Sequence, residues 1–351
     1  MLLYIHIPFC DSKCSYCSFN TYVDKFHLRQ NYMHALVKQL EFELQHFNVS
    51  KDSIETVFIG GGTPSTVQSE LYEPLFKVIN SYLQDDAEIT SEANPNSATY
   101  EWLEGMYKLG VNRISFGVQS FDNPKLKALN RAHNADEAKN AVLNASKIGF
   151  NNLSLDIIYA TAYDTKGLLQ NDLNIAFSLP INHISAYALT IEEGTPFSKT
   201  PEVALEKLEL TKWFLKELQH YKFHHYEISN FGTYQSQHNL GYWNYKDYIG
   251  LGAGAVGFLK NTRFYPTTSI EGYIENPLNI SEEILTQEEI KTEKLFLGLR
   301  CDTGVEEKVL NLDERLRADV LVKESKLIKN GTKYRNKDFL LSDEIALYIL
   351  S

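Results

Sequence analysis

The sequence predicts an α/β protein: a partial (β/α)6 barrel followed by a small C-terminal helical, winged-helix-like domain. Three observations predict it. Short apolar runs rich in β-branched residues recur without polar alternation, as in strands buried on both faces. Amphipathic helical stretches separate them, which implies right-handed βαβ units and a parallel sheet. After Glu202 that pattern gives way to aromatic-rich segments and then to helices with one hairpin signal.

The strands are expected over residues 2–7, 55–59, 88–92, 113–117, 153–158 and 183–189. Helices are expected between them over 30–47, 71–83, 100–109, 136–148 and 168–178. In the first helix Leu36, Leu40, Leu44 and Phe47 recur at the helical period. Residues 203–221 read as a further helix. Residues 226–248 are rich in aromatics, His and Asn, and a Gly-Leu-Gly-Ala-Gly-Ala run follows at 250–255. Thr286 and Glu289 match a capping box at the start of another helix. Asn330-Gly331 between short apolar runs marks a hairpin, and a last helix begins at Ser342. The expected division is 1–200 for the barrel, 201–280 for an aromatic- and His-rich extension, and 281–351 for the C-terminal domain.

Composition sets limits on function. Of 351 residues, 43% are hydrophobic and 23% charged, which is ordinary globular usage and excludes fibrous or disordered classes. There are 34 Lys and Arg against 45 Asp and Glu, a net charge of -11, and the pI is near 5.4. That acidity argues against general nucleic-acid binding, which depends on neutralising phosphates. No apolar run is long enough to span a bilayer. The first residues carry no basic, cleavable leader pattern, so a cytoplasmic protein is expected.

Four cysteines remain. Cys10, Cys14 and Cys17 form C-x3-C-x2-C, and Cys301 stands far from them. A disulfide framework does not suit a long chain with so few cysteines. Structural zinc wants four protein ligands, and no fourth follows at short spacing. A four-iron cluster fits better, because three thiolates leave one iron open for a small molecule. On spacing alone, zinc and coincidence stay open. Cys301 ends an amphipathic stretch and reads as a small core residue.

The spacing, with Tyr16 before the last cysteine, resembles the radical S-adenosylmethionine (SAM) superfamily. The resemblance implies a [4Fe–4S] cluster on Cys10, Cys14 and Cys17. It also implies SAM held at the open iron through its amino and carboxylate groups. Several polar motifs fall at the carboxyl ends of the expected strands, where ligands bind such sheets. Gly60-Gly61-Gly62-Thr63-Pro64 allows close backbone approach. Glu92 can accept hydrogen bonds from an amine or ribose. Gln119 can donate and accept, and Arg131 can pair bidentately with a carboxylate. Asp156 interrupts an apolar strand, where a carboxylate is costly unless partnered. Taken singly, each is explained by a structural hydrogen bond; together they ring one mouth of the sheet.

Tyr4-Ile-His-Ile-Pro-Phe-Cys10, Glu92-Ala-Asn-Pro95, Gly117-Val-Gln-Ser-Phe121, Ile184-Ser-Ala-Tyr187 and Gly194-Thr-Pro-Phe197 narrow the likeness. With the glycine motif they resemble the oxygen-independent coproporphyrinogen III oxidase-like family. By that resemblance Tyr4, Tyr16, Gly61, Gly62, Thr63, Glu92, Gln119, Arg131 and Asp156 would contact SAM. The family includes the porphyrin-making dehydrogenase and the HemW-type heme chaperones, which bind heme and deliver it to apoproteins. Three features favour the chaperone group and leave the dehydrogenase as the alternative. Phe19 stands where the dehydrogenase has a further cysteine. Cys10 lies nearly at the start, with no extended segment before it. Gln237-His238-Asn239-Leu240-Gly241-Tyr242-Trp243 matches the chaperones' H-N-x-x-Y-W signature. Heme needs apolar walls and an axial ligand, and His238 is the expected ligand, with His224 and His225 nearby. The resemblance further implies respiratory-chain apoproteins as recipients, contact with a membrane at its periphery, and a homodimer. One departure stands out: residues 159–163 read Tyr-Ala-Thr-Ala-Tyr where related chains carry a Gly-Pro turn.

Overall fold

The structure, a computed structural model, describes residues 1–351. Six parallel strands lie side by side in sequence order: β1 (Leu2–Ile7), β2 (Ile54–Gly61), β3 (Leu83–Ala93), β4 (Arg113–Gln119), β5 (Asn152–Tyr159) and β6 (His183–Ala188). Helices α1 (Arg29–His46), α2 (Glu73–Ile79), α3 (Tyr100–Lys108), α4 (Asn123–Ala128), α5 (Ala135–Ile148) and α6 (Lys166–Ser178) connect them. Leu3, Ile5, Val57, Ile59, Ile114 and Phe116 are fully buried in one core with the helices. That burial explains why these strands read as unbroken apolar runs.

Two expected helices end differently. The helix expected over 71–83 stops at Ile79, and Leu83 already belongs to β3. The Tyr82 carbonyl accepts from the N–H groups of Ser53 and Ile54, which draws this segment into the sheet. The helix expected over 203–221 begins only at Leu208, as α7 (Leu208–His220). Before it, the Leu205 N–H donates to the Ala160 carbonyl and Thr161 bridges Ala204, so the chain stays extended there. Helix α4 was not expected, although Asp122 caps it and Pro124 sits in its first turn.

The 201–280 stretch continues this same sheet at both edges. Strands β7 (His224–His225) and β8 (Asn230–Gly232) run antiparallel beyond β6. Strand β9 (Tyr248–Leu251) lies parallel to β1. Beyond it come β10 (Gly257–Leu259), β11 (Thr262–Pro266) and, after α9 (Ile270–Glu275), β12 (Ile280–Ile284). The result is an open sheet of 12 strands. To pass from β8 to β9 the chain crosses beneath the amino ends of the parallel strands, and α8 (Gln237–Trp243) lies in that crossing.

A buried polar floor fixes the crossing. Glu88 accepts from the backbone N–H groups of Gln237 and His238, both at 2.9 Å, and from the Tyr234 hydroxyl at 2.7 Å. A carboxylate at a helix start is favoured by the free N–H groups and the helix dipole. His183 sits between Ser154 and Tyr226, each 2.7 Å away. Glu227 is buried beside them, and burial pushes its carboxyl up to about 8. A raised acid keeps its proton in the folded chain and loses it in the unfolded one, so stability falls as pH climbs from the ordinary carboxylate range toward 8. Each pH unit in that window costs about 1.4 kcal/mol. Glu227→Gln should therefore unfold at a higher temperature than the parent at pH 8.5 and show no such gain at pH 4.5. Thermal melts of both proteins at the two pH values check this, and a gain of equal size at both would contradict it.

The C-terminal region packs α10 (Gln287–Leu299), α11 (Leu312–Lys323) and α12 (Ser342–Leu350) against a small sheet. That sheet comprises β13 (Val305–Glu306), β14 (Leu327–Asn330) and β15 (Lys333–Asn336). The expected capping box holds, with Thr286 and Glu289 bonding reciprocally. Gly331 takes a φ of 60° at the hairpin turn. Eleven buried residues form a separate core here. Cys301 is buried at its edge, with no disulfide partner.

Candidate functional site

The loop after β1 carries Cys10, Cys14 and Cys17, and backbone bonds hold it from several sides. Cys10 N–H donates to the Tyr22 carbonyl, Ser15 N–H to Leu129, and Phe197 N–H to Ser15. His6 Nε2 lies 2.9 Å from the Asn20 carbonyl, and the Asn20 amide donates to the carbonyls of Ala253 and Thr268. The loop is thus fastened to the α4 end, to the segment after β6, and to the stretch after β9.

It closes one side of a cavity of about 430 Å³ at the carboxyl ends of the parallel strands. Into this cavity open all three thiols and, from the expected set, Tyr16, Gly61, Gly62, Thr63, Glu92, Gln119, Arg131 and Asp156. Residues more than a hundred positions apart therefore meet because each ends a different strand of one sheet. No three His, Cys, Asp or Glu side chains in the chain converge as they would on a single ion.

The glycine motif is sterically required. A Cβ on Gly62 would stand 2.8 Å from the carbonyl oxygens of Ile7 and Phe9 and 3.1 Å from Cys10 Sγ. Gly61 has a φ of 110°, and a Cβ there would strike the His6 ring. Gly61 N–H donates to Glu92 Oε2 at 3.1 Å.

A chain of polar contacts joins two of the cysteines. Arg131 donates to Cys14 Sγ at 3.1 Å, to Asn94 Oδ1 at 2.7 Å and to the Gly117 carbonyl at 2.5 Å. The Asn94 amide donates to Thr63 Oγ1, which lies 3.3 Å from Cys10 Sγ. Arg131 Nε is buried with no partner. The bidentate carboxylate pair expected of Arg131 would need some of its present bonds released. Gln119 holds a φ of 70°, a sparsely populated conformation for a residue with a side chain, of the kind that clusters at ligand sites.

Burial dominates the electrostatics. It raises Glu92 to about 8, with Asp156 adding repulsion, and raises Asp156 to about 6 against hydrogen bonds from Ser185 and Ser115. Glu92 therefore carries a proton near neutral pH, and a cationic ligand beside it would favour the carboxylate. Burial likewise pushes the Cys10 thiol up to about 11, opposed by the Thr63 hydrogen bond. A thiol so placed binds iron only by giving up its proton.

Two expected residues do not line this cavity. Tyr4 lies below it, with its hydroxyl 3.0 Å from His6 Nδ1 and its ring against Phe58. His238 lies at the opposite end of the strands, 1% exposed. Its Nδ1 is 2.7 Å from Thr56 Oγ1, and its ring stacks on Phe58 and meets Tyr242 edge-on. Burial holds it neutral, lowering it to about 3. Asn94, Tyr187 and Glu192 do line the cavity and were not singled out from sequence. Asn94 and Tyr187 stand in motifs already noted at strand ends, so position on the strand was the available signal. In the 159–163 loop, Ala160 takes a φ of 60°. Asp164 anchors that loop through Lys125 Nζ at 2.7 Å and the Thr161 N–H at 2.8 Å. The turn that a glycine would make is thus made by alanine under external restraint.

A parallel α/β sheet with three thiols from one loop at its carboxyl edge defines a radical SAM protein, and residues 4–167 match the Radical SAM superfamily. The chain is 34% identical over 323 residues to the heme chaperone HemW of Bacillus subtilis, covering 87% of this chain and 84% of that one. It is 38% identical over 265 residues to the HemW of Escherichia coli, covering 73% and 69%. The chain belongs to this HemW heme chaperone family. Among solved structures, coproporphyrinogen III oxidase (HemN) from E. coli superposes with a TM-score of 0.81 at 19% identity, covering 99% of this chain and 89% of that one. That likeness establishes the shared fold.

Proposed function

We propose that this protein is a heme chaperone: it binds heme and passes it to apoproteins, and it carries a [4Fe–4S] cluster with SAM alongside. The observation that carries this reading is the similarity to HemW over 84% of the B. subtilis relative's length. Cys10, Cys14 and Cys17 would hold the cluster. When bound there, the cluster with SAM would supply redox chemistry. Gly61, Gly62 and Thr63 shape the close wall, and Tyr16, Gln119, Arg131 and Asp156 line the remainder of the SAM site. Glu92 offers a buried carboxyl to a cationic group. Phe19 supports the chaperone over the dehydrogenase: it is 65% exposed at the cavity rim, where it supplies no thiolate. The likeness to coproporphyrinogen III oxidase speaks for fold alone. No helix is long and apolar enough to cross a membrane, so contact with membrane-bound recipients would be peripheral.

Transfer tests the reading. Hemin-loaded protein mixed with a heme-free b-type cytochrome domain should lose its Soret signature as the acceptor gains its own. An acceptor that fills no faster than from free hemin, with the donor spectrum unchanged, would refute delivery.

A further inference from the structure

A second groove, of about 710 Å³, lies outside the strand ends, between α7 with β7 and the loop after β15. It shares no lining residue with the cysteine cavity. Lys212 and Lys216 line it from successive turns of α7, Lys222 from the turn after α7, and Lys337 from the C-terminal domain. Only Lys212 has a carboxylate in reach, Glu209 at 4.0 Å. Four lysines against two aspartates, Asp302 and Asp338, give the groove a local excess of positive charge in a chain of net charge -11. The volume falls within the roughly 300–1,000 Å³ usual for sites of small ligands and cofactors.

The groove also has a histidine–aspartate pair and apolar side chains. His224 is exposed, and its Nε2 hydrogen-bonds Asp302 Oδ2. A carboxylate on one ring nitrogen fixes the orientation of an imidazole and raises the basicity of the other nitrogen, as in metal-binding histidines. The adjacent His225 ring stacks on Phe231 with centroids 4.0 Å apart and meets Phe339 edge-on at 4.9 Å. Leu340 is exposed along this side, over the buried rings of Phe223 and Phe339. An imidazole poised for a metal, an apolar wall and a cationic rim suit one ligand class: a flat apolar macrocycle with a central metal and peripheral carboxylates.

We propose that this groove is the seat of an iron porphyrin, with His224 as axial ligand, Asp302 orienting it, and Lys216, Lys222 and Lys337 receiving the propionates. The inference rests on the heme-binding reading and deepens it by naming the place. It moves the ligand away from His238, whose ring is sealed beneath the sheet. A groove open to solvent between two parts of the chain also suits cargo that must leave again.

Hemin and its dimethyl ester, titrated against the reconstituted protein and followed in the Soret region, test the assignment. The parent should bind hemin with a histidine-ligated band and bind the ester at least about tenfold more weakly. His224→Ala should shift the band and weaken hemin binding at least about tenfold. Lys216→Glu with Lys337→Glu should weaken it similarly while keeping the band position, because the ligand is intact. All these substitutions are at exposed or rim positions, and circular dichroism checks the fold. Variants that bind hemin like the parent would overturn the groove while leaving heme binding standing. A parent with no Soret shift at all would overturn the heme reading and the groove with it.

Discussion

Replacing Cys14 with alanine is expected to abolish the brown chromophore of the anaerobically reconstituted protein and reduce bound iron and sulfide to background. Cys14 is the informative member of the three. It is half-buried, whereas Cys10 is 8% exposed and packed against Thr63, so its loss risks rearranging the loop. The loop holding Cys14 is fixed by main-chain bonds of Ser15 and Cys17 that do not involve its thiol. The variant should therefore fold like the parent, as judged by circular dichroism, and differ only in the cluster. Two remaining thiolates cannot hold a four-iron cube that already uses one iron for an external ligand. Retention of a full cluster in Cys14→Ala would contradict the assignment.

Arg131→Leu is expected to have the second largest effect, on stability and on cluster content together. The guanidinium serves Cys14 Sγ, Asn94 Oδ1 and the Gly117 carbonyl at once. Leucine leaves the two oxygen acceptors without their donor. Both acceptors are part-buried, and leaving an acceptor unmade costs about 1–3 kcal/mol when it is buried, so a combined loss of about 2–3 kcal/mol follows. The melting temperature should fall by on the order of 10 °C. The loss also spreads beyond packing, because Asn94 is then free to turn and Thr63 loses the donor that orients it beside Cys10. Arg131→Lys should restore part of the stability but not the full cluster content, since an ammonium cannot span three acceptors in one plane. Unchanged melting and iron content in Arg131→Leu would show that the polar chain from Cys14 to Cys10 is not what organises the site.

Much of this was legible in the sequence, for physical reasons that also mark where legibility ended. Strand β1 falls where its apolar run is, and the glycine, Glu92, Gln119 and Asp156 motifs meet because parallel strands put like ends together. Such local signals specify a strand and its end. Pairing between distant segments leaves no comparable trace. The placement of β9 beside β1 joins residues about 250 positions apart, and nothing in residues 248–251 announces it. That pairing is what carries α8 under the sheet. His238 is expected as a ligand from its place in the H-N-x-x-Y-W signature, and the structure seats it at the amino ends of the strands. There Glu88, Thr56 and Phe58 are its partners. Sequence shows a residue's chemistry, while the end of the sheet it occupies depends on topology. Tyr4 illustrates the same point within one strand: no residue of β1 lines the cavity, and Cys10 in the following loop is the first of this segment to do so.

The central claim is that this radical SAM site belongs to a heme carrier and not to a porphyrin-making enzyme. Anaerobic incubation of the reconstituted protein with coproporphyrinogen III, a reductant and SAM tests it most directly, with products followed by chromatography. Coproporphyrinogen III should be recovered unchanged. Formation of protoporphyrinogen, with loss of carbon dioxide from the propionates, would contradict it.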